Sequence, residues 1–129
     1  MNKIYIETSV GELIDKITIL EIKKEKILDK SSLSEINKEY SVLKKSLEKN
    51  VKIDENLKDL WEQLKNTNTK LWDIENGKRL SEKNKTFDEE FIKLARNVYK
   101  FNDERARIKS KINNHCGSNI KEIKQHPKY

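Results

Sequence analysis

Apolar residues recur along most of the chain at intervals of three and four, the spacing that places them on one face of a helix. Val10, Leu13, Ile14, Ile17, Leu20, Ile27 and Leu28 form the first such stripe and predict a helix running to about Asp29. Ile19 and Ile22 fall on its opposite side, so this helix is expected to be central. A second stripe of Leu33, Ile36, Tyr40, Leu43 and Leu47 runs to about Lys49. A third carries Leu57, Leu60, Trp61, Leu64, Leu71 and Ile74 and fades between Gly77 and Asn84. The fourth is marked by Phe87, Phe91, Leu94, Val98, Phe101, Ile108 and Ile112.

Helix starts are signalled by capping boxes, in which a hydroxyl accepts an early amide hydrogen and an acid three residues on reaches back. Ser9 with Glu12, Ser32 with Glu35 and Thr86 with Glu89 all fit. Asp54 suits the N-cap of the third helix, and Gly117 is a natural stop for the fourth. With only three glycines and one proline, long helices are favoured over short strands joined by turns. The expected fold is all-α, an antiparallel four-helix bundle with up-down-up-down connections in a single domain. Residues 1–8 form a short extended arm, 9–116 the bundle and 117–129 a polar tail.

Charged residues make up 39% of the chain and hydrophobic ones 34%, so the core must come from narrow stripes on otherwise wet helices. A net charge of +6 would suit nucleic acid or an anionic membrane surface. Here 22 acids are interleaved with 28 bases, which reads as a solvated surface. No apolar run approaches 18 residues and no signal-like start is present, so the expectation is a cytoplasmic protein without a membrane span.

Several polar groups sit where the stripes demand apolar ones. Glu21 and Lys24 do so on the first helix, Asn68 and Glu75 on the third, and Asn102, Arg105 and Lys109 on the fourth. At about 1.5 Å per residue, Glu21, Lys24, Asn68, Tyr99, Asn102 and Arg105 fall into one mid-bundle slab roughly 10 Å thick. A buried charge needs a partner. Two arrangements follow. Glu21 pairs with Arg105 or Lys24 in a closed network, or the cations and amides receive an anionic phosphate or carboxylate, which an arginine grips bidentately.

Weaker candidates flank this layer. Trp72 and Asp73 lie beside the third stripe, and Arg96 and Asp103 share a flank of the fourth helix with Tyr99. His115 and Cys116 lack zinc-ligand spacing, and a thiol at a helix C-terminus is disfavoured as thiolate. No metal or cofactor is expected, and no phosphate loop or G-x-S-x-G or H-E-x-x-H motif is present.

Three strings occur together: Ser9 to Ile27 (SVGELIDKITILEIKKEKI), Leu71 to Glu75 (LWDIE) and Leu94 to Asn113 (LARNVYKFNDERARIKSKIN). With them the chain resembles a family of small bacterial proteins of unknown function, about 130 residues long. That resemblance implies no activity and no catalytic residue. The functional expectation is a non-enzymatic interaction or adaptor module, as a homodimer or docked on a larger protein. The alternatives are a small anionic-ligand-binding protein or helical-bundle enzyme using the polar layer, and then nucleic-acid binding, against which the mixed charges argue.

Overall fold

The computed structural model describes residues 1–129. It contains four helices and no strand: α1 (Val10–Lys26), α2 (Lys30–Asn50), α3 (Glu55–Asn84) and α4 (Glu89–Cys116). The fold is an all-α four-helix bundle. Residues 1–8 are exposed and form neither helix nor strand. Asn119 ties their end to the tail by donating to Glu7 Oε2 at 2.6 Å.

Side-chain chemistry sets the helix starts, and the strongest local acceptor wins. Ser9 caps α1 as expected, its hydroxyl oxygen accepting from the Glu12 amide at 3.1 Å, while the Glu12 carboxylate pairs with Lys109 instead of closing the box. The other two predicted boxes are not used. Asp29, not Ser32, caps α2, its Oδ2 accepting from both the Ser32 amide and the Ser32 hydroxyl. Asp88, not Thr86, caps α4 through the Phe91 amide. In both cases a carboxylate stood next to a candidate hydroxyl, and its full charge is better matched to the positive end of the helix dipole. Asp54 caps α3 through Leu57. Gly117, at φ +63°, ends α4 in the left-handed conformation that glycine tolerates.

The centrality of α1 follows from its two apolar sides. It packs against each of the other three helices, and α3 packs against α4. α2 approaches α3 only through side chains, with Lys44 lying 5.3 Å from the Trp61 ring. One core joins all four helices: Ile14 and Ile17, Leu47, Leu57 and Leu64, Ile108 and Ile112. Each is essentially sealed from water and stabilises the fold by about 1.5–3 kcal/mol.

Two ends of the predicted stripes lie outside this core. Leu28 is 89% exposed because α1 stops at Lys26 and Ile27 is already extended. Phe87 is 52% exposed. α3, with 30 residues, is about 45 Å long, whereas α1, with 17, is about 26 Å. The α3–α4 hairpin therefore overruns α1, and the last buried residue of α3 is Ile74. Phe87 at the hairpin tip packs edge-on against Phe91 at 5.1 Å instead.

Candidate functional site

One column of α1 organises the polar interior. Gly11, Asp15, Thr18 and Ile22 recur at steps of four, three and four, so they share a face, and all four are buried. The Asp15 carboxylate is 1% exposed. Its Oδ1 accepts from Asn68 Nδ2 and from Arg105 Nε, each at 2.9 Å, and its Oδ2 accepts from Arg105 Nη2. Asn68 gives its second amide hydrogen to Thr18 Oγ1 at 2.9 Å, and the Thr18 hydroxyl donates to the Asp15 carbonyl at 2.7 Å. Every buried side-chain polar atom has a partner. The Asp15 hydrogen bonds hold the Arg105 guanidinium above its ordinary pKa, against the pull of burial.

Below this set lies Lys109, which is buried yet ionised by its neighbours. Its Nζ donates to Glu12 Oε2 at 2.6 Å and to Glu122 Oε2 at 2.7 Å. Burial acts to lower its pKa, but the two hydrogen bonds and the Asp15 charge together carry it above the ordinary lysine value. The stabilisation is thus fully present below the ordinary range of about pH 10.4 and is lost as pH rises through the raised value. Glu122→Gln lowers that value. Alkaline unfolding followed by circular dichroism should therefore begin at lower pH in the variant. At neutral pH the half-exposed Glu122 should contribute no more than about 1 kcal/mol.

Beside Asp15, the helices α1, α3 and α4 enclose a groove of about 490 Å³. Ile19, Ile22, Leu71, Trp72 and Val98 supply its apolar wall. Arg105, Asn68, Asn102, Asn76, Glu75 and Arg79 supply its polar groups. A guanidinium has five N–H bonds, and Asp15 occupies only those of Nε and one of Nη2. Three N–H bonds remain without a partner in the fold, and two of them, one on each terminal nitrogen, form the outer edge. The Arg105 side chain is 31% exposed and lines the groove.

The predicted residues therefore divide. Asn68, Asn102, Arg105, Trp72 and Glu75 come together at the groove. Glu21 and Lys24 do not. Glu21 lies about 120° around the helix from Asp15 and accepts from Trp61 Nε1 at 2.9 Å. Lys24 lies about 180° from Asp15, and its Nζ sits 4.1 Å from the Tyr40 ring on α2. Neither pairs with Arg105. Arg96, Tyr99 and Asp103 gather instead around Tyr129 of the tail, whose ring packs edge-on to Tyr99 at 4.8 Å. Asp73 is exposed and lies apart.

The partner that sequence reasoning missed is Asp15, together with Thr18, Glu12 and Asn113. The signal was available in the column itself. Gly11 and Thr18 are small, and an aspartate on a helix buried on two sides is too short to reach water. Glu21 and Lys24 are long enough to turn their charged ends outward, so their positions on a stripe said less.

The other candidate chemistry stays local. No group of three or more His, Cys, Asp or Glu is placed to hold a metal ion. His115 Nε2 stands 3.0 Å from the Asp54 carboxylate at a helix cap. Burial, followed by the Asp54 charge, pushes the Cys116 thiol up, which disfavours thiolate. No helix is long and apolar enough to cross a membrane.

The model of a family of unknown function (DUF6165) matches residues 4–128. No curated protein and no solved structure matches the chain.

Proposed function

We propose, for a chain that belongs to the family of unknown function DUF6165, that it is a small binding protein taking an anionic ligand in the α1–α3–α4 groove. The observation that carries this reading is the state of Arg105. Asp15 fixes its inner edge through two hydrogen bonds, its outer edge makes none within the fold, and the residue lines the groove. An arginine held this way is preorganised, so little side-chain entropy is lost when a ligand arrives. A groove with an apolar wall and a few convergent polar groups is also the usual form of a small-molecule site.

Thermal unfolding of the purified protein against a library of small anions tests this. A ligand at 100 times its Kd adds about 2.7 kcal/mol, a shift of several degrees. The shift should vanish in Val98→Phe, which fills the groove and leaves the Asp15 network untouched. A library with no such ligand would count against the reading.

A second reading, an interaction or adaptor module, draws on a different place. Leu80, Phe87 and Ile92 near the hairpin tip are 58%, 52% and 46% exposed. Exposed apolar side chains on a two-helix projection suit a protein partner or a second copy. Light scattering over a hundredfold concentration range should then report self-association, reduced in Phe87→Ser. A strict monomer would leave only a different protein as partner.

A further inference from the structure

We infer that the ligand of the groove is a monocarboxylate carrying an apolar body of about the size of an aromatic ring. This deepens the anion-binding reading and rests on it. Three features of the groove select this class over a phosphate.

The first is charge. Among the lining groups and those in contact with them, Lys78, Arg79, Arg105 and Lys109 are balanced by Glu75, Asp15, Glu12 and Glu122. Glu75 already approaches Arg79 Nε at 3.7 Å, and Asp15 is in direct contact with Arg105. A single negative charge meets a polarised but nearly neutral site. A phosphate monoester, close to dianionic at neutral pH, would face these carboxylates with no excess of cations.

Backbone geometry is the second. Phosphates are held most readily by the free amides at a helix N-terminus. Every lining residue sits well inside its helix: Ile19 and Ile22 in α1, Asn68 to Arg79 in α3, Val98 to Arg105 in α4. The amides there are committed to the helices, so the groove offers side-chain donors alone. The free edge of Arg105 presents two parallel N–H bonds in one plane, which match the two oxygens of a carboxylate.

The third is the wall. Ile19, Ile22, Leu71, Val98 and Trp72 line the same groove as Arg105. A ligand whose charge met Arg105 would lay the rest of itself against these side chains. Asn76 and Asn102 also line the groove, and their amides can serve a further polar group on the ligand.

The test uses three probes of one shape with the full-length protein: phenylacetate, phenylacetamide and phenyl phosphate. Binding is followed by the indole resonances of Trp72 and Trp61 and the Nε–H resonance of Arg105. Trp61 lies outside the groove, with its indole bonded to Glu21, and serves as the internal reference. Phenylacetate is expected to shift Trp72 and Arg105 saturably while leaving Trp61 still. Phenylacetamide and phenyl phosphate should bind roughly tenfold more weakly or worse, about 1.4 kcal/mol. In Val98→Phe the phenylacetate response should be lost, with the Arg105 Nε–H resonance still reporting a folded network. Phenyl phosphate binding as tightly as phenylacetate, at the same resonances, would overturn the ligand class and leave the anion groove standing. No response at Trp72 and Arg105 to any of the three, or to the wider anion library, would overturn both.

Discussion

Arg105→Ala should be the most damaging single substitution in the polar interior, and it should cost more than Asp15→Ala. The two residues share one ion pair, but they are not equally placed. Asp15 is 1% exposed and cannot move, because its carboxylate sits at the meeting of α1, α3 and α4. Removing Arg105 strands that charge, with only Asn68 close by and Lys109 at 4.0 Å. A loss of about 3–5 kcal/mol follows, or roughly 10–20 °C in Tm. Removing Asp15 leaves an arginine already 31% exposed, which can swing into the groove and be hydrated. About 1–3 kcal/mol is the expected loss there. Urea denaturation of both variants gives the order directly, and equal losses would mean that Asp15 relaxes as easily as Arg105.

Gly11→Ala should also be strongly destabilising, although alanine is the better helix former. A Cβ at Gly11 would stand 2.6 Å from the Lys109 carbonyl oxygen and 2.9 Å from Asn113 Oδ1. The first of these is backbone, so α1 and α4 must separate. Separation weakens the hydrogen bond that Asn113 Oδ1 accepts from the Gly11 amide at 2.7 Å. It also loosens the Asp15–Arg105 contact one turn away. A helix-propensity gain of about 1 kcal/mol is set against overpacking of about 1–3 and a weakened hydrogen bond of about 1. The net expectation is a loss of roughly 1–3 kcal/mol. Gly77→Ala is the matched control. Its Cβ would meet Leu94 Cδ1 at 3.0 Å, the end of a side chain that can rotate. Its stability should stay within about 1 kcal/mol of the natural chain, measured by the same denaturation.

The candidate site was legible in part, and the parts differ for a physical reason. Arg105, Asn68 and Asn102 stood out because polar groups on an apolar face must find partners or solvent. Their being on one groove with Trp72 and Glu75 required the relative rotation of α3 and α4. Glu21 satisfied the same pattern and proved to serve Trp61, since a glutamate near the edge of a stripe can turn toward whichever helix is nearest. Asp15 drew no notice between Ile14 and Ile17, because on a helix apolar on two sides the stripes overlap and a polar residue between them looks solvent-facing.

By itself the sequence determined the four helices, the central position of α1 and the stop at Gly117. These depend on periodicity and on capping within a few residues, which neighbouring side chains decide. It also placed Asp54 and Ser9 as caps. Where a carboxylate and a hydroxyl competed, at Asp29 and Asp88, the sequence held the answer but the simpler motif pointed elsewhere. Only the tertiary structure decided which charge meets which. The Asp15–Arg105 pair spans 90 residues, and the Glu12–Lys109 pair 97. Such pairings depend on how far each helix is rotated about its own axis. A rotation of one residue moves a side chain by about 100°, from one neighbouring helix to the next, and the packing of the whole core fixes that angle.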